Sequence, residues 1–176
     1  MKIAIDQIVE TPKALHYLED ADPLNAELRK GAGDYDVPQA LAVDLDYYRA
    51  GLDVYFGGRV HGAARGHCAR CLDEFAVPLD VPVSVVLTPR NAADLEGGEL
   101  GDGDLGLSFY EGEEIDVTAL VREQTLLALP SRALCSESCR GLCPRCGVNR
   151  NTTVCTCDTE PGDGPLGALR TLVRRS

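Results

Sequence analysis

Eight cysteines in a chain of 176 residues fall into four close pairs: Cys68/Cys71, Cys135/Cys139, Cys143/Cys146 and Cys155/Cys157. Thiolates a few ångströms apart are the ligand set of tetrahedral zinc, whose bonds to sulfur are about 2.3 Å long. Two cysteines separated by two residues can present both sulfurs to one ion around a tight turn. In Cys143-Pro144-Arg145-Cys146-Gly147 the proline fixes φ early in that turn. Gly147 permits a positive φ and leaves a backbone N–H to approach sulfur. The segment reads as a zinc knuckle. Cys155-Thr156-Cys157 follows shortly after it, and Val148, Asn149, Arg150, Asn151 and Thr152 can form the hairpin that returns the chain. Together these four cysteines make a compact site with all ligands local in sequence.

Cys68-Ala69-Arg70-Cys71 is a weaker signal, because a bare CxxC arises by chance. Cys135 and Cys139 are four apart, so one helical turn would put both on the same face. Four pairs admit three pairings into two sites. Joining 143/146 with 155/157 needs no long-range closure, which leaves 68/71 with 135/139. That second site would clamp the strand region to a distant segment, and one or two Zn2+ ions are expected according to whether both fill. His67 could substitute as a ligand, but a loop histidine is the favoured reading. A catalytic zinc keeps an open coordination position, which four thiolates do not leave. There is no P-loop, no GxSxG and no acid–base pair, and Asp73-Glu74 and Glu113-Glu114 read as surface carboxylates. The expectation is a non-enzymatic protein with no small-molecule substrate.

The elements that must hold these cysteines start with strands. Leu41, Val43, Leu45 and Tyr47 alternate with polar residues, and Leu52, Val54 and Phe56 resume the pattern beyond Ala50-Gly51, which predicts a hairpin. Phe75, Val77, Leu79, Val81, Val83, Val85 and Leu87 give the clearest strand. Pro78 and Pro82 lie on its other face, so it should be an edge strand or contain a break. Residues 91–114 are rich in acid and glycine without Lys or Arg and read as an acidic loop, with a short strand at Leu105 to Tyr110. Asp116 should cap a helix that runs to about Leu129 and stops at Pro130, with Val117, Leu120, Val121, Leu127 and Ala128 on its apolar face. Leu166, Leu169, Leu172 and Val173 suggest a C-terminal helix. The fold class expected is α+β. An antiparallel β-rich part with one helix occupies 1–130, and a small cysteine-rich zinc-knuckle module with the C-terminal helix occupies 131–176.

Hydrophobic residues make up 44% of the chain, with no Trp and three Phe, so the core must be mostly Val, Leu and Ala. The first ten residues lack the apolar run of a signal peptide, and no stretch approaches the roughly 18 apolar residues of a membrane span. A cytoplasmic protein without a membrane partner is expected, and a reducing cytosol favours metal over disulfide for its cysteines. The formal charge of −11 argues against broad binding to nucleic acid. Each four-thiolate zinc would add a charge of about −2. Any RNA contact must therefore be local, or the partner must be a basic protein. Between Pro130 and Cys157, Arg132, Arg140, Arg145 and Arg150 face a single acid, Glu137. Arg140, Arg145 and Arg150 are the candidate contact residues.

At these motifs the sequence resembles the YceD family, named for accumulation of the large-subunit ribosomal RNA. The resemblance rests on His67-Cys68-Ala69-Arg70-Cys71-Leu72 before the alternating strand, and on Asp116-Val117 leading into Leu126-Leu127-Ala128-Leu129-Pro130. Its most specific block runs from Cys135-Ser136-Glu137-Ser138-Cys139 through Arg140-Gly141-Leu142-Cys143-Pro144-Arg145-Cys146-Gly147-Val148-Asn149 to Cys155-Thr156-Cys157. It departs from the pattern near Thr159 to Gly164, where the chain is glycine-rich. The resemblance implies a non-enzymatic metal-binding protein that supports accumulation or assembly of the large subunit. Its partner would be the large-subunit ribosomal RNA precursor or a basic ribosomal protein. A redox-switched zinc chaperone and, more weakly, a zinc-ribbon transcription adaptor are the alternatives, the former because oxidation of CxxC and CxC pairs releases zinc.

Overall fold

A computed structural model of the chain describes residues 1–31, 34–90 and 107–157. The alternating segments form the expected hairpin. Strand β4 (Leu41–Ala50) turns at Gly51 and Leu52 into β5 (Asp53–His67), with Val43 opposite Val60 and Tyr48 opposite Tyr55. Strand β6 (Glu74–Pro89) then pairs antiparallel with β5 along its length, from Val54↔Leu87 to His67↔Glu74. The sheet is completed by β2 (Lys13–Glu19) on β4 and by the short β3 (Tyr35–Asp36) on the far end of β5. At the other side β7 (Leu107–Tyr110) runs parallel to β6. Strands β1 (Lys2–Ala4) and β8 (Glu114–Asp116) form a separate antiparallel pair.

Every second residue of each long strand points inward, which is the period-2 rule at work. Val43 and Leu45 of β4, Val54, Phe56 and Val60 of β5, and Leu79, Val81, Val83 and Leu87 of β6 are buried in one core. Pro78 and Pro82 fall on the exposed face. Strand β7 covers only Val86 to Pro89, so the earlier part of β6 is an edge among the described residues. There a missing N–H removes no ladder bond, as expected for an edge strand.

Helix α2 (Val117–Ala128) begins where its cap predicts: the Asp116 carboxylate accepts from the Ala119 N–H at 3.2 Å. Its buried face differs from the expected one. Leu127 is 73% exposed and Ala128 is exposed, whereas Thr125 is fully buried. The Thr125 hydroxyl donates to the Val121 carbonyl at 2.7 Å, so a polar side chain fits beneath the helix without an unpaired group. Leu127 falls on the opposite side from Val121 and Thr125.

A second helix, α1 (Ala21–Lys30), lies in the part expected to be β-rich with one helix, so, among the described residues, positions 1–130 carry two α-helices and not one. Asp20 caps it by accepting from the Asp22 N–H, and Pro23 sits in its first turn. Leu24 is fully buried, and the Asn25 side chain exchanges two 2.8 Å hydrogen bonds with the Val37 backbone. Helix α2 packs against β6 and β1, and α1 packs against α2 and β3.

The short strand expected at the end of the acidic stretch is β7, at Leu107–Tyr110, and Glu114 opens β8. Residues 91–106 and the expected C-terminal helix at Leu166 to Val173 lie outside the described residues. No described helix is long and apolar enough to cross a membrane.

Candidate metal centre

The tip of the β5–β6 hairpin carries Cys68 and Cys71, and the segment after α2 comes back to meet it. The Ala69 N–H donates to the Ala133 carbonyl at 2.8 Å, and the Leu142 N–H donates to the Arg70 carbonyl at 2.9 Å. The Arg70 guanidinium reaches the other way and donates to the carbonyls of Glu137 and Cys139, both at 2.9 Å. Four short bonds therefore bind two segments far apart in sequence, and they bring Cys135 and Cys139 over Cys68 and Cys71.

Two sets of sulfurs result: Cys68, Cys71, Cys135 and Cys139, and Cys143, Cys146, Cys155 and Cys157. This is the pairing favoured on loop-closure grounds. In each set all four ligand atoms lie within 4.8 Å of one another. The Sγ–Sγ separation is 3.7 Å for Cys68–Cys139 and for Cys71–Cys135. It is 3.6 Å for Cys146–Cys155 and 3.3 Å for Cys143–Cys155. Four sulfurs about 2.3 Å from a central zinc would stand about 3.8 Å apart along each edge of the tetrahedron. A disulfide would need about 2 Å, and all eight cysteines are free thiols. The donor set and spacing fit zinc, and four thiolates leave no open coordination position. Cys68, Cys71, Cys139 and Cys143 are buried, while Cys135 and Cys146 are exposed.

The two CxxC turns share one hydrogen-bond pattern. In the second, the Cys143 N–H donates to Val148 O and the Gly147 N–H to Cys143 O, both at 2.9 Å. In the first, the Cys68 N–H donates to Asp73 O and the Leu72 N–H to Cys68 O, again both at 2.9 Å. So Cys68-Ala69-Arg70-Cys71, the weaker signal in sequence, folds into the same hydrogen-bonded turn as the stronger one. The Gly147 N–H, expected near sulfur, serves a carbonyl. The amides that reach Cys143 Sγ are those of Cys146 and Arg145, and they bring its thiol down to about 6. Burial works against ionisation of Cys68, yet the amides of Cys135, Cys71 and Arg70 outweigh it and bring that thiol to about 6.

Neighbouring sulfurs act in the other direction. Cys157 is pushed up to about 12 by the sulfurs of Cys155 and Cys146. The Asp73 amide draws Cys71 down, but burial and the sulfurs of Cys68, Cys135 and Cys139 carry it to about 12. In the first tetrad Cys68 and Cys139 are thus drawn down while Cys71 and Cys135 are pushed up, and in the second Cys143 is drawn down while Cys155 and Cys157 are pushed up. A divalent cation removes that conflict, which is the chemistry of a structural metal site.

Cys135 and Cys139 do not lie on a helix. The chain turns between them, with the Cys139 N–H on the Ser136 carbonyl at 3.1 Å. His67 ends β5 on the exposed surface and belongs to neither tetrad. Arg132, Arg140, Arg145 and Arg150 are all exposed, and none forms a salt bridge with another described residue. Arg140 and Arg150 flank a shallow cleft with Thr152, Thr153 and Val154; Arg145 is not part of it.

Two polar residues beside the sulfurs fall outside the site expected from the sequence. Asn151 Nδ2 donates to Cys139 Sγ at 3.2 Å, and Asn149 Nδ2 donates to Asp73 Oδ2 at 2.6 Å. The signal available was the pair of asparagines between two cysteine pairs, in the segment assigned only to a returning hairpin. That return is present as a Leu142↔Asn149 bridge.

A family model described as "Large ribosomal RNA subunit accumulation protein YceD" matches residues 56–173, a span that contains all eight cysteines. The Large ribosomal RNA subunit accumulation protein YCED homolog 1, chloroplastic, of Arabidopsis thaliana is 26% identical over 175 residues. That alignment covers 85% of this chain and 54% of the plant protein, so the chain spans about half the length of that relative. An uncharacterized protein of Mycobacterium tuberculosis is 30% identical over 157 residues, covering 84% of this chain and 70% of its own length. No solved structure matches the chain.

Proposed function

The chain belongs to the YceD family of large ribosomal RNA subunit accumulation proteins, and from that premise we propose that it is a non-catalytic, zinc-stabilised factor for large-subunit assembly. The observation that carries the zinc part is the arrangement of eight thiols in two sets, each with all sulfurs within 4.8 Å. The first set is held by Cys68 and Cys71 on the hairpin tip and by Cys135 and Cys139. The second is local to the knuckle. Their role is to fix a small surface on an otherwise acidic cytoplasmic protein.

That surface is the part suited to RNA. Arg140, Arg145 and Arg150 stand exposed on the metal-bound segment, and their guanidinium groups match phosphate oxygens. The body of the protein repels nucleic acid through its charge of −11. Contact is therefore confined to the knuckle face, and the partner is the large-subunit ribosomal RNA precursor. A basic ribosomal protein would instead meet the acidic body, leaving the arginines indifferent.

Co-sedimentation with large-subunit precursors tests the reading. Wild type associates in a salt-sensitive manner, and Arg145→Glu and Arg150→Glu weaken association while retaining two zincs by native mass spectrometry. Equal co-sedimentation of wild type and both variants would discard the arginine contact. Association that persists in both arginine variants but is lost when acidic residues of the body are neutralised would point to a basic protein partner.

A further inference from the structure

The two tetrads are not independent. The chain between Cys146 and Cys155 belongs to the second site, yet two of its side chains serve the first. Asn151 Nδ2 donates to Cys139 Sγ at 3.2 Å. The orientation of this amide is fixed from its other end, because Asn151 Oδ1 accepts the Arg140 N–H at 2.8 Å. Reversing the amide would set two donors and two acceptors against each other. Asn149 makes the second link: its Oδ1 accepts the Asn151 N–H at 2.9 Å, and its Nδ2 holds Asp73 Oδ2. Asp73 in turn accepts the Cys68 N–H through its carbonyl at 2.9 Å.

Both asparagines ride on a loop whose ends are Cys146 and Cys155, and those two sulfurs stand 3.6 Å apart. Metal at the second site would fix that loop. A fixed loop presents the Asn151 Nδ2–H to the Cys139 thiolate, where it lowers the cost of gathering negative charge around an ion. We propose that the two metal sites load cooperatively and that Asn151 is the residue that couples them. This rests on the zinc reading above. Linkage is reciprocal, so metal at the first site also favours metal at the second. Outer-sphere hydrogen bonds to metal ligands are typically worth about 10- to 100-fold in metal affinity, which sets the expected size of the coupling.

The decisive variant is Asn151→Asp. It keeps the acceptor for the Arg140 N–H and the size of the side chain, and it exchanges the donor to Cys139 for a carboxylate oxygen, whose negative charge adds to the loss of the donor. A residue with a merely structural role would tolerate it. Zinc affinities are measured on the full chain by chelator competition, with native mass spectrometry counting ions. The first site is identified by its loss in Cys68→Ser. Asn151→Asp weakens the first site by about 10- to 100-fold. Cys155→Ser/Cys157→Ser, which disables the second site, weakens the first by a similar factor. The triple variant is no weaker than the weaker of the two, because both changes break the same link. Zinc-free wild type and Asn151→Asp unfold at the same temperature. Two zincs whose affinities Asn151→Asp leaves unchanged, or effects that simply add, overturn the coupling alone. A wild type that never binds more than one zinc overturns the two-site reading and the coupling with it.

Discussion

Leu72 and Gly147 occupy the same position in two turns of the same kind, with φ of +65° and +74°. Each follows the second cysteine of a CxxC pair, and each donates its N–H to the carbonyl of the first cysteine at 2.9 Å. Glycine enters this region freely, whereas a side chain there costs about 1–2 kcal/mol. Leu72 is 64% exposed, so little burial compensates for it. Leu72→Gly is therefore expected to leave stability unchanged or raise it by up to about 1 kcal/mol, the loss of unfolded-state restriction offsetting part of the relief. Gly147→Leu should cost about 1–2 kcal/mol. Urea unfolding of the zinc-loaded protein measures both, and a clear loss of stability in Leu72→Gly would contradict the equivalence of the two turns.

Gly141 makes a sharper demand. Its φ is +70°, and a Cβ there would lie 2.9 Å from the Arg70 carbonyl oxygen, with the Arg70 side chain close behind. That oxygen accepts the Leu142 N–H, one of the bonds docking the cysteine segment on the hairpin tip. Gly141→Ala cannot be absorbed by moving a flexible side chain. It should cost about 2–3 kcal/mol, combining the backbone term with a lost hydrogen bond. Gly147→Ala meets nothing within 4 Å and carries only the backbone term. In chelator competition Gly141→Ala should release zinc earlier than Gly147→Ala, and equal release would mean that the docking at Arg70 does not hold the first site together.

Much of this arrangement is legible in the sequence because it is local or periodic. The strands announce themselves by alternation, α2 by Asp116, and the second tetrad by cysteines too close together to be separate. The first tetrad is legible only by elimination, since nothing in Cys68-Ala69-Arg70-Cys71 names its distant partners. Helix α1 is hidden because its decisive contacts are polar and tertiary: Asn25 is buried by virtue of its two bonds to Val37, not of any apolar pattern. Thr125 and Leu127 exchange places for a related reason, as a hydroxyl that bonds its own helix can be buried more easily than its class suggests. Asn149 and Asn151 read as turn residues because their neighbours in space, Asp73 and Cys139, are set by the fold. Arg70 is equally silent, although it is the clip between hairpin and cysteine segment.

A last expectation concerns Glu19, which ends β2 and is only 5% exposed. Burial raises its carboxyl pKa from the ordinary value, and the nearby N-terminal ammonium and Arg122 only partly oppose this. A raised folded pKa means that the folded state holds the proton more tightly than the unfolded one. Its contribution to stability is then fully present below the unfolded pKa and is lost as pH rises through the folded value. At neutral pH the ionised group is a burden on the fold. Glu19→Gln, which resembles the protonated acid, should raise the thermal midpoint relative to wild type at pH 7. Below the ordinary carboxylate range the two proteins should converge, because wild type is then protonated in both states. Thermal unfolding at pH 7 and under acid conditions, with matched salt and with zinc-free protein, separates this effect from metal loss. A Glu19→Gln protein less stable than wild type at pH 7 would mean that the ammonium and Arg122 outweigh burial.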